Sequence, residues 1–503
     1  MLTILAYIVV SLLSLLFVIY HFLGNKELCQ KISHIPGPIA FPLIGNAYLF
    51  MGNTSYILQQ ISKLCNTYAS PCRFIIGSKV AVLIHDPEHT KAVFLSPKAA
   101  EKIEFFDFIK PWLGNGLVSA PREVWRVHRK LIQPAFVPEI MQSFVTIFQK
   151  TSISLIDELT GKVNSLEFEV YPYLSFNAFR NICESSLGMS VKTKTKEIEQ
   201  FLEASERVME VVTQRSFSPW IHSDIIFNVT NTSKVFYNTV KYLNSFTTNV
   251  IKKRRIDLKT ESFRNPEEEK QKKPFLDLIL EMADSENKFT EQEIREQVNT
   301  IIEGGYFTVS RVNSFTMLML ASHPEIQDKA YDEIYQIYGS KTPEENPVKF
   351  EDLKKLEYLE RVIKETMRLF PMGPILGRKL QEDFSIGGYT LPKDCGIVIA
   401  ILSIHRNKKY WPEPLKFDPN RFSPEEVAKQ TPYTYMPFSF GPRDCIGRTY
   451  AMMSMKILIA TLLRKYVLIK DNITPTEDIK IKVESVLLCP VEPISIRIER
   501  RVK

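Results

Sequence analysis

The stretch "FSFGPRDCIG", Phe438 to Gly447, decides how this 503-residue chain is read. It frames Cys445 between Gly441 and Gly447 and sets Arg443 two positions before it. A cysteine that only fills core needs no such punctuation. Glycines let the backbone turn sharply and come close to a ligand. The next segment, "RTYAMMSMKILIATLLRKY", is apolar nearly all round and predicts a buried helix starting near Gly447. The unpaired N–H groups of a helix start lower a thiol pKa and favour thiolate. Arg443 adds a bidentate donor beside it.

Taken alone, the loop fits a nucleophile, a metal thiolate or a structural cysteine. A nucleophile wants a general base, and no His-containing motif announces one. Zinc would want more Cys or His nearby. A single thiolate can ligate haem iron. The other six cysteines (29, 65, 72, 183, 395 and 489) are scattered and form no CxxC, which argues against a disulfide framework and suits a reducing compartment.

Composition sets the frame. With 45% hydrophobic residues the chain can build a large core. A net charge of +7 fits an anionic membrane or an acidic protein partner as well as it fits nucleic acid. The one basic run, Lys252 to Arg255, reads as a solvated helix end, so no nucleic-acid role is expected. The first residues, "MLTILAYIVVSLLSLLFVIYHFLG", carry no charge before Lys26. They are long enough for one transmembrane helix. Lys26 and Lys31 follow it, which places the bulk of the chain on the cytoplasmic side. "HIPGP", His34 to Pro38, is a stiff non-helical break. The expected organisation is an anchor over 1–24, a linker and proline-rich hinge over 25–38, and one catalytic domain over 39–503.

Secondary-structure signals are mainly helical with small sheets at the edges. "CRFIIGSKVAVLI" predicts two strands, near Phe74–Ile76 and Val80–Ile84, turned at Gly77-Ser78. Asp86-Pro87 starts a helix. Lys259 to Pro274 is a charged exposed loop. Thr290 and Glu293 form a capping box that opens a helix running to about Ala321. Its middle, "IIEGGYFTVS", places Gly304 and Gly305 side by side, either for close helix packing or for approach of a flat group. "FSIGGYTLPKDCGIVIAIL" predicts a small sheet. Glu365 and Arg368 stand at i,i+3 on an apolar helix with Leu353, Leu356, Leu359 and Val362, and Trp125 and Arg129 at i,i+4 on another.

Together these residues carry a resemblance to the cytochrome P-450 superfamily. Phe438, Gly441, Arg443, Cys445 and Gly447 match its FxxGxRxCxG loop, and Glu365 with Arg368 its ExxR helix. Arg421 in "FDPNRF" matches the arginine completing that ion-pair triad. Trp125 and Arg129 match WxxxR, and "HIPGP" the hinge after the anchor. The resemblance covers the whole chain in order.

It implies a haem-thiolate fold of mainly α type with small β-sheets, preceded by one N-terminal transmembrane helix. It implies haem b with Cys445 as axial thiolate. Trp125, Arg129, Arg378 and Arg443 would bond the propionates, while Glu365, Arg368 and Arg421 hold the core. The implied activity is insertion of one oxygen atom into a lipophilic substrate: fatty-acid-like, odorant, hormone or xenobiotic. Electrons would come from NADPH through a flavoprotein reductase, with cytochrome b5 as a further donor. Lys408 and Lys409 would favour such an acidic partner. The implied place is the endoplasmic reticulum membrane, single-pass, with the catalytic domain cytoplasmic.

The distal helix departs from the family pattern of a small residue, Gly, any residue, an acid and Thr. Setting Glu303 and Gly304 at its start puts Tyr306 and Phe307 at the acid and alcohol positions, with Thr308 one place late. Gly305 lies between. This leaves two other readings open: a peroxide-rearranging isomerase or dehydratase, and a haem protein that binds hydrophobic ligands without turnover. Glu303 before Gly304 also resembles the microsomal family-four clan, where that glutamate can form an ester to a haem methyl. Phe105, Phe106 and Phe108 read as core or as cavity wall. The pocket is expected from residues 100–120, 200–250 and 370–380.

Overall fold

The computed structural model describes residues 2–24, 26–41, 44–77, 79–262, 273–484 and 486–501. Helices dominate. They include α1 (Leu2–Gly24), α2 (Thr54–Thr67), α3 (Arg122–Ile132), α4 (Tyr171–Ser186), α5 (Lys196–Phe217), α6 (Asn231–Ser262), α7 (Glu291–Ser322), α8 (Glu357–Leu369) and α9 (Arg448–Lys465).

Helix α7 is the axis of the core. Thr290 caps it, and Thr290 and Glu293 complete the capping box the sequence announced. Its 32 residues are buried on most sides, because α4, α6, α8 and α9 all pack on it. Pro324 then begins the next helix, Pro324–Tyr338, as expected. The apolar α9 is buried from Met453 to Leu463, which is why its sequence shows no polar face.

The main sheet takes the order β1 (Cys72–Ile76), β2 (Lys79–Ile84), then β4 (Gly396–Ile399) and β3 (Leu376–Lys379) at the far edge. β1 and β2 form the expected hairpin, with Ile76 opposite Lys79. β2 runs parallel to β4, and β3 antiparallel to it. Ser78 of the expected turn lies outside the described residues. Asp86 caps the helix Pro87–Leu95. "FSIGGYTLPKDCGIVIAIL" supplies the two-stranded pair Phe384–Ile386 and Tyr389–Leu391 as well as β4. A second hairpin, β5 (Ile481–Glu484) with β6 (Leu487–Pro490), packs on α2 and α5.

Several expectations change. Within the expected linker and hinge over 25–38, Lys26–Lys31 is helical and Ile32 and Ile35 are buried. The proline-rich break is docked on β1, where Pro36 O accepts from Arg73 N at 2.8 Å. A Cβ on Gly37 would stand 2.3 Å from Arg73 O, so only glycine allows that approach. Lys259 to Ser262 continue α6, and residues 263–272 of the expected loop lie outside the described residues. Arg254 and Arg255 are not solvated ends but pair with Asp277 and with Asp284 and Glu291. Leu353 and Leu356 are buried but precede α8.

Among the described residues no single helix is long and apolar enough to cross a membrane. The apolar run with described side chains is Thr3–Val18 within α1, and the rest of the expected span lies outside the described side chains. Ile4, Leu5, Tyr7, Leu12 and Phe17 are all exposed on it.

Candidate haem-thiolate site

The loop at Cys445 is held from three sides. Within it, Cys445 N donates to Phe438 O at 3.0 Å and Asp444 N to Gly441 O at 3.0 Å. Gly441 has φ +79°, and a Cβ there would stand 2.4 Å from Phe94 O. Gly441 therefore does what the sequence asked of it. Gly447 does not: its φ is −88°, it is the N-cap of α9, and a Cβ would meet only Cys445 Sγ at 3.8 Å. Phe438 is half-buried against the core.

Behind the loop lies a buried ionic hub. Arg368 donates to both oxygens of Glu365, at 2.7 and 2.8 Å, and both side chains are 0% exposed. The remaining Arg368 donors reach His405 O, Pro414 O and Lys416 O. Arg421 Nε lies 3.4 Å from Glu365 Oε1, and Asp418 N donates to that oxygen at 3.0 Å. Burial pushes the Glu365 carboxyl up, opposed by Arg368, Asp418 N and Arg421. The three residues form the structural triad that the resemblance implied. Its link to the loop is His405, whose Nε2 accepts from Met436 N at 2.8 Å, two residues before Phe438. Burial, then Arg368, pull His405 down to about 3, so it stays a neutral acceptor.

Cations surround the loop with different duties. Arg129 is spent on it, donating to Asp444 O at 3.0 Å and Oδ1 at 3.1 Å; Arg448 takes the other Asp444 oxygen. Arg129 thus braces the loop, rather than standing ready for a propionate. Arg443 donates to Ala120 O at 2.9 Å and lies over Trp125 at 4.6 Å, leaving its buried Nε and Nη1 without partners. Arg378, 3% exposed on β3, donates only to the neighbouring Gly377 O. Burial lowers Arg378 to about 10, and nearby Arg443 adds to this. Burial also lowers Arg443 to about 10. Lys102, which the sequence reading missed, belongs to the same cluster. Burial pushes it well down, and Arg378 and Arg443 push it further.

Three crowded cations, with two orphaned donors on Arg443, call for anions, and the two carboxylates of a haem would satisfy them. Cys445 is accessible beside them. The helix start was expected to lower its thiol. Desolvation instead raises it, against the pull of Gly447 N–H, Arg129 and Arg448, while Asp444 adds to the rise. A ligated iron, with its own charge, is what would make the thiolate.

On α7 the register corrects the sequence reading. Gly304 is exposed, and a Cβ there would meet nothing within 4 Å. Thr308, one turn on, is half-buried and donates to Gly304 O at 2.8 Å. These two residues form the open face. Glu303, Tyr306 and Phe307 are buried, at 7%, 0% and 1% exposure. Thus Gly304, not Glu303, takes the small-residue place, and Thr308, not Phe307, takes the alcohol place. Phe307 falls at the acid position. The two glycines divide the two readings offered for them: Gly305 packs on α4, with its would-be Cβ 2.5 Å from Ile182, while Gly304 leaves room for a ligand.

Glu303 turns away from that face toward Ser205 on α5 and Tyr306, so an ester to a haem methyl has no support. Among the described residues neither of its oxygens has a partner in good hydrogen-bond geometry, although Ser205 and Tyr306 lie close enough to act on it. Burial pushes its carboxyl up to about 8, against the pull of Ser205 and Tyr306. The N-terminal half of α7 fixes the segment leading to Ala120: Glu296 accepts from Asn115 N at 2.9 Å and Gln297 from Leu117 N at 3.1 Å. Gly114 and Gly116 admit that contact, since a Cβ on either would collide with Glu296 or Thr300.

Comparison with known proteins agrees with this geometry. A family model for cytochrome P450 matches residues 35–498. The chain is 32% identical over 483 residues to cytochrome P450 4c21 of Blattella germanica, covering 95% of each chain. It is 32% identical to cytochrome P450 4V2 of Mus musculus, covering 87% of this chain and 85% of that one. The crystal structure of the cytochrome P450DA heme domain superposes with a TM-score of 0.78 at 21% identity, covering 93% of this chain and 98% of that one. With its axial-cysteine loop, its cation cluster and family-four relatives along nearly its whole length, the chain belongs to the cytochrome P450 family and is a haem-dependent monooxygenase.

Proposed function

We propose that this monooxygenase inserts one oxygen atom into a lipophilic substrate at the cytoplasmic surface of the endoplasmic reticulum membrane. Electrons come from NADPH through a flavoprotein reductase, with cytochrome b5 as a further donor. The observation that carries the reading is the open face of α7, where Gly304 leaves space and Thr308 presents a hydroxyl. When bound, the haem supplies the oxygen-activating chemistry. Cys445 would hold its iron, and Arg443, Arg378, Lys102 and Trp125 its propionate edge. Thr308 can hold and pass a proton on the open face, a task closed to Phe307. The case for a peroxide rearrangement rested on a missing acid–alcohol pair; Thr308 supplies the alcohol, while Phe307 leaves the acid position without a proton donor.

Membrane attachment is supported by the exposed apolar side chains of α1 and by a second exposed group, Ile39, Phe41, Trp220, Ile225 and Val229. Exposed Lys408 and Lys409 support docking of an acidic redox partner. The test is NADPH consumption and oxygenated product with a reductase and a lipid panel. Product that appears only with reductase and dioxygen supports the reading. Turnover of a hydroperoxide alone contradicts it.

A further inference from the structure

A cavity of about 740 Å³ lies between α2, the β1–β2 hairpin, the end of α5 and the β5–β6 hairpin, well within the range of small-molecule sites. Its walls come from residues 103–106, 213–220 and 375–377, inside the three expected segments, and from the N-terminal elements, which were not expected. Phe105 and Phe106 line it, whereas Phe108 packs on the core. At its rim Met51 and Trp220 are 67% and 63% exposed. Its wall includes Ile103 and Gly377, the sequence neighbours of Lys102 and Arg378, but neither of those cations.

Among the described residues that line it, none is charged. The polar ones are Asn53, Thr54, Thr213, Gln214, Ser216 and Ser218. The nearby cations are already engaged. Arg215 donates to Ile221 O and His222 O and pairs with Asp224. Lys79 and Lys379 both pair with Glu104. Lys102 and Arg378 would be taken up by the haem carboxylates. An ionised head group entering this cavity would lose its water and gain no counter-charge.

We propose that the substrate is an elongated lipid without an ionised group: a hydrocarbon, long-chain alcohol, aldehyde or ester, and not a free fatty-acid anion. This rests on the monooxygenase reading above and narrows it. The test titrates the full-length haem-loaded protein with methyl palmitate, hexadecanol and palmitate near neutral pH, following the low-to-high-spin shift of the Soret band. The ester and the alcohol are expected to half-saturate at about tenfold lower concentration than the anion, reflecting the uncompensated carboxylate. Acidification that protonates palmitate should close the gap. Gln214→Arg, which sets a cation at the cavity wall, should shift the preference several-fold toward palmitate. Palmitate binding as tightly as the ester, or no shift with any of the three, overturns the proposal. The reduced carbonyl spectrum, recorded on the same sample, separates this failure from failure of the haem-thiolate reading itself.

Discussion

The loop at Cys445 and the open face of α7 are built on opposite principles. The loop is over-determined. Arg129, Arg448, Phe94, Ala120 and, through His405, the Glu365–Arg368 hub all fix it. The α7 face is defined by what is missing: no side chain at Gly304 and one hydroxyl at Thr308. A loop that must hold a metal ligand needs rigid support, whereas a face that must admit a small reactant needs room. Motif matching therefore works well on the first and poorly on the second.

The comparison breaks most visibly at the ligand. Cys445→Ala should abolish axial thiolate ligation, read as loss of the red-shifted carbonyl band of the reduced protein, while the circular dichroism of the helices persists. Next comes the hub. Arg368→Ala leaves the Glu365 carboxylate buried without its partner, at a cost of about 3–5 kcal/mol in denaturant unfolding. A loss under about 1 kcal/mol would mean the loop does not lean on the hub.

The glycine pair sharpens the other side. Gly305→Ala forces a methyl against Ile182 and should destabilise by about 1–3 kcal/mol. Gly304→Ala meets nothing and should gain up to about 1 kcal/mol from helix propensity. Equal effects at the two positions would deny that they face different surroundings. A separate effect is the pH dependence from Glu303. Its folded pKa, raised to about 8, lies above that of the unfolded chain, so the native state keeps a proton the unfolded state has lost. Stability should fall as pH rises from the ordinary carboxyl range toward 8. Glu303→Gln should flatten that slope, and an unchanged slope would place the titration elsewhere.

How much of this was legible depended on what carried the signal. The Cys445 loop, the Glu365–Arg368 pair, the capping box at Thr290 and the β1–β2 hairpin each place chemically special residues at short fixed spacing. The register of α7 was not legible, because a helix can present either Glu303 or Gly304 to a ligand and only its packing against Ile182 and Ser205 chooses. Lys102 was missed because a lone lysine in "EKIEFF" looks like any surface lysine. Its partners, Arg378 and Arg443, are far away in sequence. Arg129 was expected on a propionate, and its partner Asp444 was not foreseen, since a propionate and an aspartate ask the same of a guanidinium.

The central claim is that Thr308, and not the residue at 307, serves the open face. The direct measurement is the fraction of NADPH electrons recovered in oxygenated product for Thr308→Val and Phe307→Thr, beside the parent chain. The account predicts a several-fold fall for Thr308→Val, on the scale of a lost proton-transfer group, and no gain for Phe307→Thr. Unchanged coupling in Thr308→Val together with improved coupling in Phe307→Thr would contradict it.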